Sequence, residues 1–160
     1  MNETLQKITA IWRHIEEVQK NCFILGERLI EAGDEELARQ LITNSLTHDQ
    51  SKFCGIEWEY LLVDSETGDL YEKKRMAIHH HNSCQPHHPE YWKGIKNMPS
   101  VYRAEMACDW KARSSEFGSS LKEWIDGPAA TRYGFTKHDK IYREIMKYIN
   151  LLLEKPFTQS

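Results

Sequence analysis

The chain has 160 residues, a net charge of -3, 40% hydrophobic and 28% charged residues. That is enough for one domain with a real core, and the acidic balance excludes a general nucleic-acid-binding surface while leaving room for a single nucleotide. No run approaches the roughly 20 apolar residues of a membrane span, and the first residues lack a basic stretch followed by an apolar one, so the sequence reads as cytoplasmic.

Residues 4–32 predict one long helix, because Ile8, Ile11, Trp12, Ile15, Val18, Cys22, Leu25, Leu29 and Ile30 recur at helical spacing. Gly33 stands where a helix C-terminus wants glycine. His14 lies beside the apolar stripe, where a lone histidine is more often a core residue than a ligand. Asp34-Glu35-Glu36 starts a second helix with acids in its first turn, and its inward face runs through Leu37, Leu41, Ile42, Ser45 and Leu46 to His48-Asp49. If that helix continues, His48 and Asp49 point about 100° apart, and Lys52 falls near the face of Asp49, within reach of an anion.

A short helix is expected at 55–62, then an exposed polar loop at 63–69. Helical pattern resumes at 70–81 and runs into a dense cluster, His79, His80, His81, His87 and His88, five of the eight histidines. Pro86 and Pro89 rule out a continuous helix there, so a loop must bring imidazoles back over the helix end. Tyr91 and Trp92 would pin it to the core. Pro99 opens the next helix, on which Glu105 and Asp109 share one face. Residues 114–120 read as a break, 121–125 as a short helix stopped by Asp126-Gly127-Pro128, and Thr136-Lys137-His138-Asp139 as a capping box for the last helix, reaching about residue 154. His138 reads as surface and 156–160 as a frayed tail. No segment alternates with period two. Cys22, Cys54, Cys84 and Cys108 are too evenly spread for a disulfide framework and read as reduced thiols. The fold class is therefore all-α: a single domain, residues 1–155, of about six to seven helices.

His14, His48-Asp49, the histidine cluster and Asp109 form a mixed nitrogen and oxygen set that suits manganese, iron, cobalt, nickel or zinc. Their order, with 60 residues from Asp49 to Asp109, resembles the HD-domain superfamily of helical metal-dependent phosphohydrolases. More closely, Arg13-His14, His48-Asp49-Gln50-Ser51-Lys52-Phe53, Glu57, Tyr60, Asn82, His87-His88, Tyr91-Trp92, Met98-Pro99 and Glu105-Met106-Ala107-Cys108-Asp109-Trp110 resemble a family of small HD-like proteins of bacteria and phages that has no assigned reaction. The superfamily resemblance implies a core of about five helices, with His14, His48, Asp49 and Asp109 holding a first divalent metal and Lys52 contacting phosphate. The 82–87 stretch is longer than expected, which leaves open which of His79, His80 and His81 faces inward.

On this reading His80 and His87 are candidate ligands of a second metal. His81 and His88 would bind phosphate or protonate the leaving group, and Glu105 would orient the water or an imidazole. The expected activity is hydrolysis of a small phosphoester such as a nucleotide, using one or two metals per chain. Two other readings stay open: a non-catalytic metal- or nucleotide-binding module, and an oxygenase using two irons, since the histidine order also resembles HD-type oxygenases. The aromatic Tyr91-Trp92 region is compatible with a homodimer.

Overall fold

In the computed structural model, residues 2–154 are described, and every regular element among them is helical. The tail expected at 156–160 lies outside the described residues. Helix α1 (Glu3–Glu31) is the axis of the domain, capped by the Asn2 side chain at its start. Its end is a Schellman turn: Gly33, at φ +84°, donates to Ile30 O, and Asp34 donates to Leu29 O. Asp34 then caps α2 (Glu35–Ser45). Gly26 lets α2 come close, since a Cβ there would sit 2.7 Å from Ile42 Cδ1.

The bundle of α1, α2, α5 (Ser100–Phe117) and α8 (Lys140–Leu153) holds the core. Val18, Cys22, Leu25 and Leu29 of α1 are sealed against Leu41, Met106, Ala107, Ile145 and Ile149. Trp12, Ile30 and Leu46, expected on inward faces, are instead about half exposed. The neighbouring positions complete the apolar stripes without them. Helices α3 (Gly55–Tyr60) and α4 (Gly68–Cys84) pack on each other outside this bundle.

Several expected boundaries move. Helix α2 stops at Ser45, so His48 and Asp49 are not on a continuing helix; Asp49 adopts a left-handed backbone, φ 57°, before a 3-10 turn at Gln50–Phe53. Helix α4 continues through His79, His80 and His81 to Cys84, because the helix-breaking prolines come only after it. The break expected at 114–120 is shorter, since α5 runs on to Phe117 and ends at Gly118. Asp126-Gly127-Pro128 does not stop the chain. After α6 (Leu121–Trp124), a widened π-helical turn at Ile125–Ala129 absorbs Pro128 and leads into α7 (Ala130–Tyr133). Asp139 accepts from Thr136 N at 2.6 Å, as in a capping box, but α8 begins only at Lys140. The four thiols are free, with Cys22 and Cys108 buried and Cys54 and Cys84 exposed. No helix is long and apolar enough to cross a membrane among the described residues.

Leu25 is fully buried where α1 faces the core. Leu25→Ala is expected to lower unfolding stability by about 2–5 kcal/mol through lost transfer energy and a residual cavity. Urea denaturation monitored by helical circular dichroism measures this.

Candidate metal centre

Four carboxylates, Asp49, Glu57, Glu105 and Asp109, are buried among the described residues, against one buried ammonium, Lys52. Buried charges of one sign need compensation. Here they surround a knot of imidazoles where α1, the turn after α2, α4, the 85–88 loop and α5 converge.

Asp49 is at its middle. Its left-handed backbone, tolerable for aspartate, swings the carboxylate into the knot, where it is fully buried. Oδ2 faces one group of side chains: His14 Nε2 at 3.2 Å, His48 Nε2 at 3.5 Å and the Lys52 ammonium. Oδ1 faces another: His81 Nε2 at 3.3 Å and His87 Nε2 at 3.4 Å. Asp109 Oδ1 completes the first side, 3.2 Å from His14 Nε2. His88 completes the second, its ring centroid 4.8 Å from that of His81 and 4.5 Å from that of His87.

The far side of the rings is equally ordered. His14 Nδ1 meets Glu116 Oε1 at 2.6 Å, His48 Nδ1 meets Glu105 Oε1 at 2.8 Å, and His81 Nδ1 meets Glu57 Oε2 at 2.8 Å. Glu57 is held in turn by Ser51 Oγ at 2.8 Å. A carboxylate on Nδ1 fixes the tautomer that leaves the Nε2 lone pair facing inward, the usual support of a metal-ligating histidine. His14 Nε2, His48 Nε2, His87 Nε2, Asp49 Oδ1 and Asp109 Oδ1 are buried and have no hydrogen-bond partner. Such inward, unsatisfied donor atoms are costly unless a cation takes them. Ligand atoms of His14, His48 and Asp49, of His48, His87 and Asp109, and of His81, His87 and His88 cluster closely enough to share an ion. The donor set therefore fits one or two divalent metals.

The titration of these groups follows from the same crowding. Burial pulls His14 down, but the Asp109 and Asp49 carboxylates, each 3.2 Å from Nε2, outweigh it and hold its pKa at about 9. His48 is likewise raised, burial being overcome by the Asp49 charge and the Glu105 bond. Asp49 lies well below the usual carboxylate range despite its burial, through His48 and Lys52, and Asp109 does so through His14. Burial and the neighbouring His87 push His88 down to about 2, so this imidazole is neutral and offers one ring-nitrogen lone pair.

Of the residues singled out in the sequence, His14, His48, Asp49, Lys52, His81, His87, His88, Glu105 and Asp109 all meet here. Lys52 is buried at the centre, although no continuing helix carries it. His81 shares the ligand-like geometry of His14 and His48, and His88 joins it. His80 does not join them. It points away from the knot, half exposed, with Nδ1 on Glu57 Oε1 at 2.8 Å, because the turn that faces His81 inward turns its neighbours out. His79 is exposed. Glu116 and Glu57 were missed as functional residues. Glu116 follows Asp109 by seven positions, two turns along the same face once α5 is allowed to continue; Glu57 stands among the residues of the family resemblance but has no role assigned there.

Fold and site together define an all-helical protein built around a buried histidine–carboxylate centre. The sequence matches a family of unknown function (DUF5662) over residues 3–155, and the chain belongs to that family. No curated protein and no solved structure matches it.

The metal-free protein has a testable pH signature. A histidine raised from 6.5 to about 9 on folding stabilises the fold fully below pH 6.5, and the stabilisation is lost as pH rises through 9. The Tm of chelator-treated protein should thus fall between pH 6.5 and 9 by more than that of His14→Ala. With manganese present the trend should reverse, since the ion replaces the proton. Differential scanning fluorimetry across this range reads both.

Proposed function

We propose that the protein is a metal-dependent phosphohydrolase of the HD-domain type, acting on a small phosphoester such as a nucleotide. The observation that carries this reading is the set of unpartnered, inward-facing atoms of His14, His48, His87, Asp49 and Asp109. Three of the imidazoles at the centre, those of His14, His48 and His81, are backed by a carboxylate on Nδ1.

In this reading His14, His48, Asp49 and Asp109 hold one divalent ion. His81, His87 and His88 would hold a second, with Asp49 turning Oδ2 to the first group and Oδ1 to the second. Bound there, such ions supply Lewis acidity toward a phosphoryl oxygen and lower the pKa of a coordinated water. The protein's own contribution is positioning. Glu116, Glu105 and Glu57 fix the imidazole tautomers. The Lys52 ammonium, held at Asp49, offsets negative charge on the phosphoryl oxygens. Hydrolysis forms a phosphorus–oxygen bond to water, breaks the one to the leaving group and passes a proton to the departing oxygen. His81 and His88 act here as ligands rather than as the leaving-group acid. The cell compartment that fits this chemistry is the cytoplasm.

The three-histidine second group also favours a second reading, an oxygenase using two irons, because it gives both metals comparable nitrogen donors. Elemental mass spectrometry of anaerobically purified wild type and Asp49→Asn is the first test, followed by phosphate release from a nucleotide panel with manganese. Asparagine tolerates the left-handed backbone, so the variant removes charge and not fold. The phosphohydrolase reading expects two metals per chain in wild type, loss of metal in the variant, and phosphate release that disappears with it. Iron with substrate-dependent oxygen uptake would favour the oxygenase. Metal without turnover would leave a binding module, and no metal after soaking with manganese, cobalt or zinc would overturn the ligand assignment.

Glu116→Gln tests the outer support separately. It should weaken metal affinity by about 10–100-fold with the fold intact, measured by competition with a chromophoric chelator.

A further inference from the structure

A cleft of about 640 Å³ lies between α4, the 89–95 segment and α7. Its lining carries three strong cations, Arg75, Lys93 and Arg132, and one carboxylate, Glu90. In a chain of net charge -3 this is a local reversal of sign. Glu90 is committed to Arg132 at 2.7 Å, and Arg75 is loosely paired with Glu72, 3.4 Å away on the exposed face of α4. The lining also includes the apolar side chains of Ile78 and Ile95 and the ring of Tyr133.

None of the centre's ligand residues lines this cleft, but the same chain segments serve both. Helix α4 presents His81 to the centre and Ile78 to the cleft, one turn apart. Pro89, in the cleft wall, directly follows His88. Tyr133 stacks at 6.0 Å on Trp110, the residue after Asp109.

Lys93 adds an independent observation. Among the described residues, two that are not glycine have a positive φ, and both are at 57°: Asp49 and Lys93. Lys93 caps the end of the 89–92 turn in the left-handed region, its N–H donating to Glu90 O, at a place where glycine or asparagine would be cheaper. At Asp49 that conformation aims a carboxylate into the centre. At Lys93 it ends the 89–92 turn at a residue that lines the cleft.

Resting on the phosphohydrolase reading, we propose that this cleft is a second anion subsite, so that the substrate carries a further phosphate beyond the one hydrolysed. The reacting phosphoryl group lies at the metal centre beside Lys52. The second phosphate is held by Lys93 and Arg75, and the organic part lies on Ile78, Ile95 and Tyr133. A nucleoside diphosphate, triphosphate or bisphosphate has this build; a monophosphate does not.

The test is calorimetric titration of manganese-loaded protein with two probes, inorganic phosphate and the non-hydrolysable methylene-bridged analogue of adenosine diphosphate. The variant is Lys93→Gly combined with Arg75→Gln. Glycine relieves the backbone at position 93 and glutamine is a good helix former, so folding is preserved and circular dichroism checks it. The expected result is about tenfold weaker binding of the analogue, with phosphate affinity and metal content unchanged. Wild-type affinity for the analogue should also fall as salt is added. Unchanged affinity for the analogue in the variant would overturn the subsite and leave the metal-centre reading standing. Failure of wild type to bind phosphate in a manganese-dependent way would overturn both.

Discussion

Everything in this structure depends on one buried carboxylate. Asp49 has its two oxygens in two different company sets, one with His14, His48 and Lys52, the other with His81 and His87. A helix could not deliver it there, since a helical residue 49 would follow the direction of α2. The left-handed backbone at Asp49 breaks that direction within one residue. The strain is modest and local, and it turns a surface-bound side chain into the centre of the domain.

Around that point the domain has concentrated charge that its own side chains do not balance. Buried carboxylates outnumber buried cations, and several inward lone pairs have no partner. Without an ion, protons on His14 and His48 supply part of the compensation, which is why these imidazoles are held above their ordinary values. Protons and a bound metal would thus compete for the same atoms. The centre costs stability in its own right, and the apolar packing of α1, α2, α5 and α8 offsets it.

The sequence made part of this legible. Apolar spacing along α1 and α5, the Gly33 stop and the acidic start of α2 report on local backbone preference, and they placed His14, Glu105 and Asp109 well. The histidine cluster pointed to the region where the buried centre forms, and three of its five imidazoles, His81, His87 and His88, enter it. What the sequence did not carry was anything decided by tertiary contact. The left-handed turn at Asp49 has no composition cue, since aspartate is common in helices and turns alike. Glu116 was hidden by serines that looked like a break, yet its carboxylate reaches across 102 positions to His14. Pro128 looked like a stop, and a π-helical turn absorbed it. Which of three consecutive histidines faces inward was open until the rotation of α4 was set, and that rotation is set by Ala77 and His81.

That last point bears on how the two sides of the centre differ. His14, Asp109 and Glu105 stand on α1 and α5, long helices sealed into the core. His81 stands on α4, whose only buried residues are Ala77 and His81 itself and which packs mainly on α3 and the 89–92 turn. An apolar stripe does not hold α4 in place; its ion-pair and hydrogen-bond contacts through His81 and Glu57 do. The helices that carry His14 and Asp109 are therefore held by the core, while on the proposed two-metal reading the positions of His81 and His87 would depend more on the ion they share. The same helix forms one wall of the cationic cleft, so whatever fixes His81 also fixes Arg75 and Ile78. On the proposed two-metal reading, filling of the second group and shaping of the cleft would be one event, because a single helix with two buried residues serves both.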